Sequence, residues 1–384
     1  MMVAGEASAD LHGSRVVEAL RRLDPEIVVY GMGGEHMRRA GAELIIDSSQ
    51  LAVVGITEVF GRIRGLFRAY KILKYFIMEN KLSLLIIIDF PDFNLSLARV
   101  ARSAGVPVLY YISPQVWAWR SRRVRKIARR INKMAVIFPF EVAIYQNIGL
   151  DVEFVGHPLL DVFSSSPQED MFLNHCLARG DPVIALLPGS REKEIQTLLP
   201  EMLRAADILV EKKPAAKFIL PAAPTVNVQE LKKFLYPHTI PISVVEDQTY
   251  RTIMAADLVI VASGTATLET AILGKPMVIV YQVSPLSYWV GKAMVKVNWI
   301  GLVNIVAGKK VVPELLQEEA RGERIAAEAL RILNDEAYRR EMVEELAEVR
   351  KKLGTPGAAI RVARMALEMI EANKVVSNQL SARN

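Results

Sequence analysis

The sequence has one cysteine, Cys176, in 384 residues, so it supports neither a disulfide framework nor a cysteine-built metal site, as suits a reducing compartment. It lacks any apolar run long enough for a bilayer: stretches such as 82–88 fall far short of the roughly 20 residues a spanning helix needs. The opening residues, MMVAGEASAD, carry neither a basic n-region nor an apolar h-region, so no secretory signal is visible in them. Neither sign of charge dominates. Lys plus Arg at 48 against Asp plus Glu at 42 leave +6, a mild excess whose distribution matters more than its size. There is no short-period repeat, no low-complexity tract and no His, Asp and Glu cluster with metal-ligand spacing, so neither a metal nor a cofactor is expected. What is present is apolar bulk. A hydrophobic fraction of 51% with 23% charged is ample for packed cores and excludes wholesale disorder, and the length favours two domains over one.

The chain is organised around residues 259–282, VIVASGTATLETAILGKPMVIVYQ. The pattern predicts a short apolar strand, a tight Ser263-Gly264-Thr265 turn, a helix from about 266 to 273, a Gly274-Lys275-Pro276 break and a second apolar strand. Two buried-type strands joined by a short crossover helix make a βαβ unit. The turn presents small residues where the helix begins, so free backbone N–H groups and the positive end of the helix dipole point outward together. A diphosphate suits that end, and Glu269, one turn on, is placed to accept hydrogen bonds from a ribose diol. Alone, the same turn reads better as an ordinary Ser- or Thr-capped helix start.

Strand and helix alternate through the first half, with strands expected at 1–4, 27–30, 84–88, 106–112, 134–138 and 152–155 and the first helix near 11–22. Gly31-Met32-Gly33-Gly34 lacks the third glycine of a dinucleotide fingerprint and does not open the first βα turn, so that reading is rejected. Ser164-Ser165-Ser166-Pro167 is the best linker, and after it the alternation restarts: strands at 183–187, 218–220, 242–245 and 258–261, a helix at 194–211, and a helical end from about 322 with a last helix near 358–372. Near-continuous apolar strands between helices imply parallel sheets covered on both faces. The economical architecture is α/β, with two doubly wound Rossmann-like domains facing each other across a cleft. The first is expected at 1–163, with the helix at 357–373 packing back on it, and the second at 168–354.

Ligands in doubly wound sheets sit outside the carboxyl ends of the strands. Asp89, the loop from Gly5 to Asp10, Arg191 and the turn from Gly264 to Thr267 all fall at such ends. A guanidinium between strand and helix can pair with phosphate oxygens, although a lone Arg191 is more often a surface residue. Asp89 closes a strand apolar enough to be buried, and Asp92 or Asn94 fills the helix-capping role more naturally. A carboxylate in one domain, with an arginine and a helix N-terminus in the other, describes group transfer: a base activates an acceptor hydroxyl while the opposite wall stabilises a departing diphosphate.

Ala4-Gly5-Glu6-Ala7-Ser8-Ala9-Asp10, Asp89-Phe90-Pro91-Asp92-Phe93-Asn94, Ser113-Pro114-Gln115-Val116-Trp117-Ala118-Trp119, Leu186-Leu187-Pro188-Gly189-Ser190-Arg191 and Ala262-Ser263-Gly264-Thr265-Ala266-Thr267-Leu268-Glu269 together resemble the motif series of the lipid-A-disaccharide synthase family. Order and spacing hold over nearly the whole chain. One departure is Ala9, where the family loop usually carries a second glycine. The resemblance implies a GT-B glycosyltransferase, metal-independent and inverting, that joins UDP-2,3-diacylglucosamine to 2,3-diacylglucosamine 1-phosphate (lipid X) and releases UDP. It also implies Asp89 as the base, and a donor site of Ser190, Arg191, Gly264, Thr265, Ala266, Thr267, Glu269 and Asn304. The acceptor-side loop would be Gly5, Glu6, Ser8 and Asp10. Such an enzyme would be cytoplasmic and peripheral on the inner face of the cytoplasmic membrane.

Acylated substrates call for a membrane-facing surface. Val59, Ile63, Leu66, Phe67, Tyr70, Leu73 and Ile77 recur at helical spacing, with Arg64, Arg68 and Lys71 on another face, as in a basic amphipathic helix on an anionic bilayer. Phe60, Ile63, Leu66, Phe67 and Tyr70 are its membrane-facing candidates, although most amphipathic helices simply pack on their own sheet. Residues 285–302, with Tyr288, Trp289, Lys292, Lys296 and Trp299, form a second candidate, and the basic run 120–130 offers attraction to headgroups or to the acceptor phosphate. A nucleic-acid partner is not expected, because Trp117 and Trp119 precede that run rather than interleave with it. The enzyme alternative is a GT-B transferase moving another UDP-sugar onto a different lipid acceptor. The oligomeric state is open, a homodimer included.

Overall fold

A computed structural model of the chain describes residues 1–48, 58–116, 123–164, 181–223, 226–236, 238, 240–283 and 298–381, with backbone alone at 58–63, 164 and 376–381. The Trp117 and Trp119 pair, Cys176, linker residues 165–167 and most of the 285–302 segment lie outside them. The chain divides into two compact units, Met1–Ser165 with Leu353–Asn384, and Ser166–Lys352.

In the first unit seven strands run in parallel: β1 (Met2–Ala4), β2 (Tyr30–Gly33), β3 (Glu43–Asp47), β4 (Leu85–Ile88), β5 (Val108–Tyr111), β6 (Lys133–Val136) and β7 (Asp151–Phe154). Their order is β3-β2-β1-β4-β5-β6-β7, so the direction of travel reverses between β1 and β4. β4, Leu-Ile-Ile-Ile, is buried along its whole length because helices cover both of its faces. The second unit repeats the plan with β8 (Val183–Leu187), β9 (Lys217–Ala222), β10 (Ile242–Glu246), β11 (Leu258–Ala262), β12 (Met277–Tyr281) and β13 (Glu314–Leu316) in the order β10-β9-β8-β11-β12-β13, reversing between β8 and β11.

Two edge strands, β3 and β13, escape the sequence reading; both are short and half-exposed, so neither carries a continuous apolar signature. The second strand lies at Tyr30–Gly33 rather than 27–30. The glycine cluster accounts for the shift. A Cβ on Gly31 would come within 1.7 Å of the Met2 carbonyl oxygen, so the glycines are the strand itself, admitting a close approach of β1. The closing helix, Ala358–Ser381, returns to the first unit and packs on the Ala7–Leu23 helix. Asp161 accepts hydrogen bonds from the Gly357 and Ala359 N–H groups, and Arg361 donates to the carbonyls of Val155 and Thr355 at 2.9 and 2.6 Å.

Candidate functional site

In the second unit a cavity of about 340 Å³ opens outside the carboxyl ends of β8 and β11, at the point where the strand order reverses. Ser190, Arg191, Gly264, Thr265, Ala266 and Glu269 all line it. The Thr265–Ile272 helix starts at its wall, with small residues and first-turn N–H groups where an anion can approach. Arg191 precedes the Glu192–Lys212 helix, is 81% exposed in its side chain, and gives its Nη1 to Glu194 Oε1 at 2.6 Å. Gly189 has φ +111°, and a Cβ there would come within 2.4 Å of Glu194 Oε2. The left-handed backbone and the lack of space both demand glycine. Glu194, unnoticed in the sequence, therefore lies over Gly189 and steers the guanidinium.

Glu269 is half-buried. Burial raises its carboxyl above the usual range, and a hydrogen bond from Tyr250 Oη, 3.3 Å from Oε1, opposes that rise. Thr267 does not reach the cavity: it is buried and turns its hydroxyl back to the Gly264 carbonyl at 2.8 Å. Asn304 is fully buried and wholly committed. Its amide N–H groups go to Val312 O and Glu314 Oε1, and its oxygen accepts from the Val311 and Val312 N–H groups. Glu314 also accepts from the Ile300 and Gly301 N–H groups, and the Ile300 carbonyl in turn accepts from Ser263 Oγ in the cavity wall. Asn304 and Glu314 thus fasten the segment behind the turn.

In the first unit Asp89 leaves the end of β4 with φ +45°, and Phe90 follows with φ +45°. Two consecutive left-handed non-glycine residues are costly and persist only where surrounding structure holds them. Asn94 Nδ2 donates to the carbonyls of Ile88 and Asp89, at 3.0 and 2.7 Å, and Tyr110 Oη donates to Asp89 O at 2.9 Å. The Asp89 carboxyl is held above the usual carboxylate range, first by burial and then by the charge of Glu6, against the Phe90 N–H hydrogen bond. Glu6 is near because Ala4 pairs with Ile88, so the two chain segments leave adjacent strand ends together. Gly5 lies against the Phe90 ring, where a Cβ would come within 2.5 Å.

Glu6 and Ser8 are exposed, whereas Asp10 is buried and accepts from the N–H groups of Gly34, His36 and Met37 at 2.6, 3.1 and 3.1 Å, closing the start of the Glu35–Arg39 helix. The expectation that Asp92 or Asn94 caps the following helix is corrected: Pro91 opens that helix, Phe90 occupies the cap position without a side-chain bond, and Asp92 pairs with Arg123. Two histidines not singled out in the sequence lie in the same unit. Burial, and then Arg15, push His12 down to about 4, while burial, and then His12, push His157 down to about 3.

The Glu58–Glu79 helix divides its residues differently from the sequence stripe. Leu73 and Ile77 are core, and Tyr70 is half-buried with its ring edge-on to Phe93 at 6.4 Å. Leu66 is half-buried, Phe67 is exposed, and the side chains of Phe60 and Ile63 lie outside the described residues. Phe67, Ile72, Tyr75 and Met78 face outward among Arg64, Arg68 and Lys71, with Lys71 Nζ 4.6 Å from the Phe67 ring centre.

The family described as lipid-A-disaccharide synthetase matches residues 1–362. Lipid-A-disaccharide synthases of Geobacter metallireducens and Geobacter sulfurreducens are 48% and 49% identical over 371 residues, covering 96% of this chain and 97% of each relative. Among solved structures, the UDP-GlcNAc 2-epimerase of Neisseria meningitidis bound to UDP-GlcNAc superposes with a TM-score of 0.68 at 12% identity, covering 96% of this chain and 99% of that one. At that identity the likeness speaks for the fold, which is GT-B, with two Rossmann-like domains.

Proposed function

The chain belongs to the lipid-A-disaccharide synthase family, glycosyltransferases of lipid A biosynthesis, and from that premise we propose how its residues carry the transfer. The donor is UDP-2,3-diacylglucosamine and the acceptor 2,3-diacylglucosamine 1-phosphate (lipid X). Asp89 takes the proton of the acceptor hydroxyl as its oxygen bonds to the anomeric carbon. The bond from that carbon to the diphosphate breaks on the opposite face, so configuration inverts and UDP departs. A carboxyl raised by burial is a stronger base than an exposed one. Arg191 and the N-terminal turn of the Thr265–Ile272 helix take up the charge that grows on the leaving diphosphate. Glu269 accepts from the ribose hydroxyls. The loop from Gly5 to Ser8 borders the acceptor.

The observation that supports this reading best is the convergence of Ser190, Arg191, Gly264, Thr265, Ala266 and Glu269 on one cavity at the strand-order reversal. Among the described residues no helix is long and apolar enough to cross a membrane. The acyl chains are reached instead from the surface of the cytoplasmic leaflet, through the outward face of the Glu58–Glu79 helix. Incubating the protein with both substrates and following UDP and the disaccharide 1-phosphate by mass spectrometry tests the reaction. Turnover with another UDP-sugar, and none with this pair, would overturn it.

A further inference from the structure

A second cavity, about 680 Å³, lies in the first unit at the end of the sheet opposite Asp89, beside the residues that lead into β6 and β7. Arg102, Arg125 and Arg129 line it together with Asn132, Asn147 and Asp151. Each arginine sits at or just beyond the last turn of a helix, where one cation complements the dipole. That accounts for them singly and not for three around one cavity. Arg102 is fixed in place by donating Nη1 to Ile131 O at 3.3 Å. Asn132 spends its oxygen on the Val108 N–H, which leaves its NH₂ to donate. The one carboxylate, Asp151, is answered by Lys133 at 3.7 Å. Among the described residues none of the three arginines pairs with a carboxylate. Three guanidiniums around one cavity, against the single carboxylate of Asp151, make a receptor for a tetrahedral oxyanion.

Topology supplies the source of that anion. Right-handed crossovers from β3 to β4, β4 to β5 and β5 to β6 put the Glu58–Glu79, Pro91–Ser103 and Arg123–Ala128 helices on the same face of the sheet. All three run back toward the amino ends of the strands. Exposed Tyr75 and Met78 therefore share both face and end with Arg102 and Arg129, and the first two helices pack side by side. Apolar side chains that can enter an acyl layer stand one helix away from the arginine cavity. We propose that this cavity binds the phosphate of an anionic phospholipid in the bilayer. The inference rests on the membrane contact of the Glu58–Glu79 helix proposed above.

The test uses the full chain and sedimentation with phosphatidylcholine vesicles, alone or with about 30 mol% phosphatidylglycerol. Arg125→Gln with Arg129→Gln, both exposed positions, should weaken binding to the anionic vesicles by about 25-fold, roughly 5-fold per arginine. Binding to phosphatidylcholine alone should not change. A charge-matched pair in the other unit, Arg350→Gln with Lys351→Gln, should change anionic binding by less than about twofold. Equal losses from the two pairs would reduce the effect to overall charge and overturn the site, as would an undiminished anionic preference in the first pair. Calorimetry with inorganic phosphate separates the sources. Tight binding of free phosphate that the first pair abolishes, with vesicle binding intact, would assign the cavity to a soluble anion and overturn the headgroup reading. If the unaltered chain bound no vesicle of either kind, the membrane contact itself would fall; failure of the arginine pair alone leaves that contact standing.

Discussion

Asn94, fully buried, places its amide nitrogen 2.7 Å from the carbonyl of Asp89 and 3.0 Å from that of Ile88, so one side chain braces the left-handed exit of the strand that carries the proposed base. Asn94→Ala takes a donor from both carbonyls and leaves that of Asp89 to Tyr110 Oη alone, at about 1–3 kcal/mol for a buried group left unsatisfied. Denaturant unfolding should show that loss. kcat should fall more than KM rises, because Asp89 is then held in many orientations. Stability equal to that of the parent would mean the brace is dispensable.

Asp89→Asn keeps the shape and removes the base. Folding and UDP affinity should survive while turnover at saturating substrates falls about 10²–10⁴-fold. Asp89→Gly should be as inactive yet more stable by about 1 kcal/mol, because glycine adopts φ +45° without penalty. A destabilised glycine variant would show that the side chain contributes more to the fold than its backbone costs.

At the other cavity, Arg191→Ala should raise the donor KM and lower kcat, since charge on the diphosphate grows toward the transition state. Lys should restore only part of both, lacking the bidentate fork. Glu194→Gln keeps the contact with Arg191 but removes its charge, so it should change donor kinetics by less than about tenfold. Glu269→Gln should weaken UDP itself. Calorimetry finding UDP affinity unchanged in both Arg191→Ala and Glu269→Gln would move the donor site elsewhere.

Along the Glu58–Glu79 helix the buried and outward faces predict opposite phenotypes. Phe67→Ser with Tyr75→Ser and Met78→Ser should weaken vesicle binding and leave the unfolding transition intact, since all three are largely exposed. Leu73→Ala should instead destabilise by about 2–5 kcal/mol, as a fully buried leucine does on truncation. Loss of cooperative unfolding in the triple variant would mark its face as core.

His12 and His157 should make the protein acid-sensitive. Buried and neutral, they titrate near 4 and 3 when folded, against about 6.5 when unfolded. Between those values the unfolded chain binds more protons, so stability is complete above pH 6.5 and is lost as pH falls through the window toward 4 and then 3. For His12 the loss is on the order of 3 kcal/mol at 1.36 kcal/mol per unit. Urea midpoints measured from pH 7 to pH 4 should decline, and His12→Gln should flatten the slope. A slope identical to that of the parent would remove His12 from the account and leave the acid sensitivity to His157 and the carboxylates.

Much of this protein was legible in one dimension. Strands such as Leu85–Ile88 and Leu258–Ala262 are apolar without interruption because both faces of a parallel sheet are covered, and burial of that kind is written directly into composition. Small residues at Ser263–Thr265 mark a helix start for the same local reason. What the tertiary structure decided is where each polar group spends its hydrogen bonds. Asp10 and Thr267 lie in the same motifs as Glu6, Thr265 and Glu269, yet their partners are backbone groups of the fold itself, those of Asp10 distant in sequence, and Asn304 is likewise spent on Val311, Val312 and Glu314. Helical spacing identified an apolar stripe on the Glu58–Glu79 helix, but packing against the sheet and the neighbouring helix determines that Leu73 and Ile77 are core while Tyr75 and Met78 face out. Periodicity records that a residue is apolar; contact with a second element decides what its apolar surface is for.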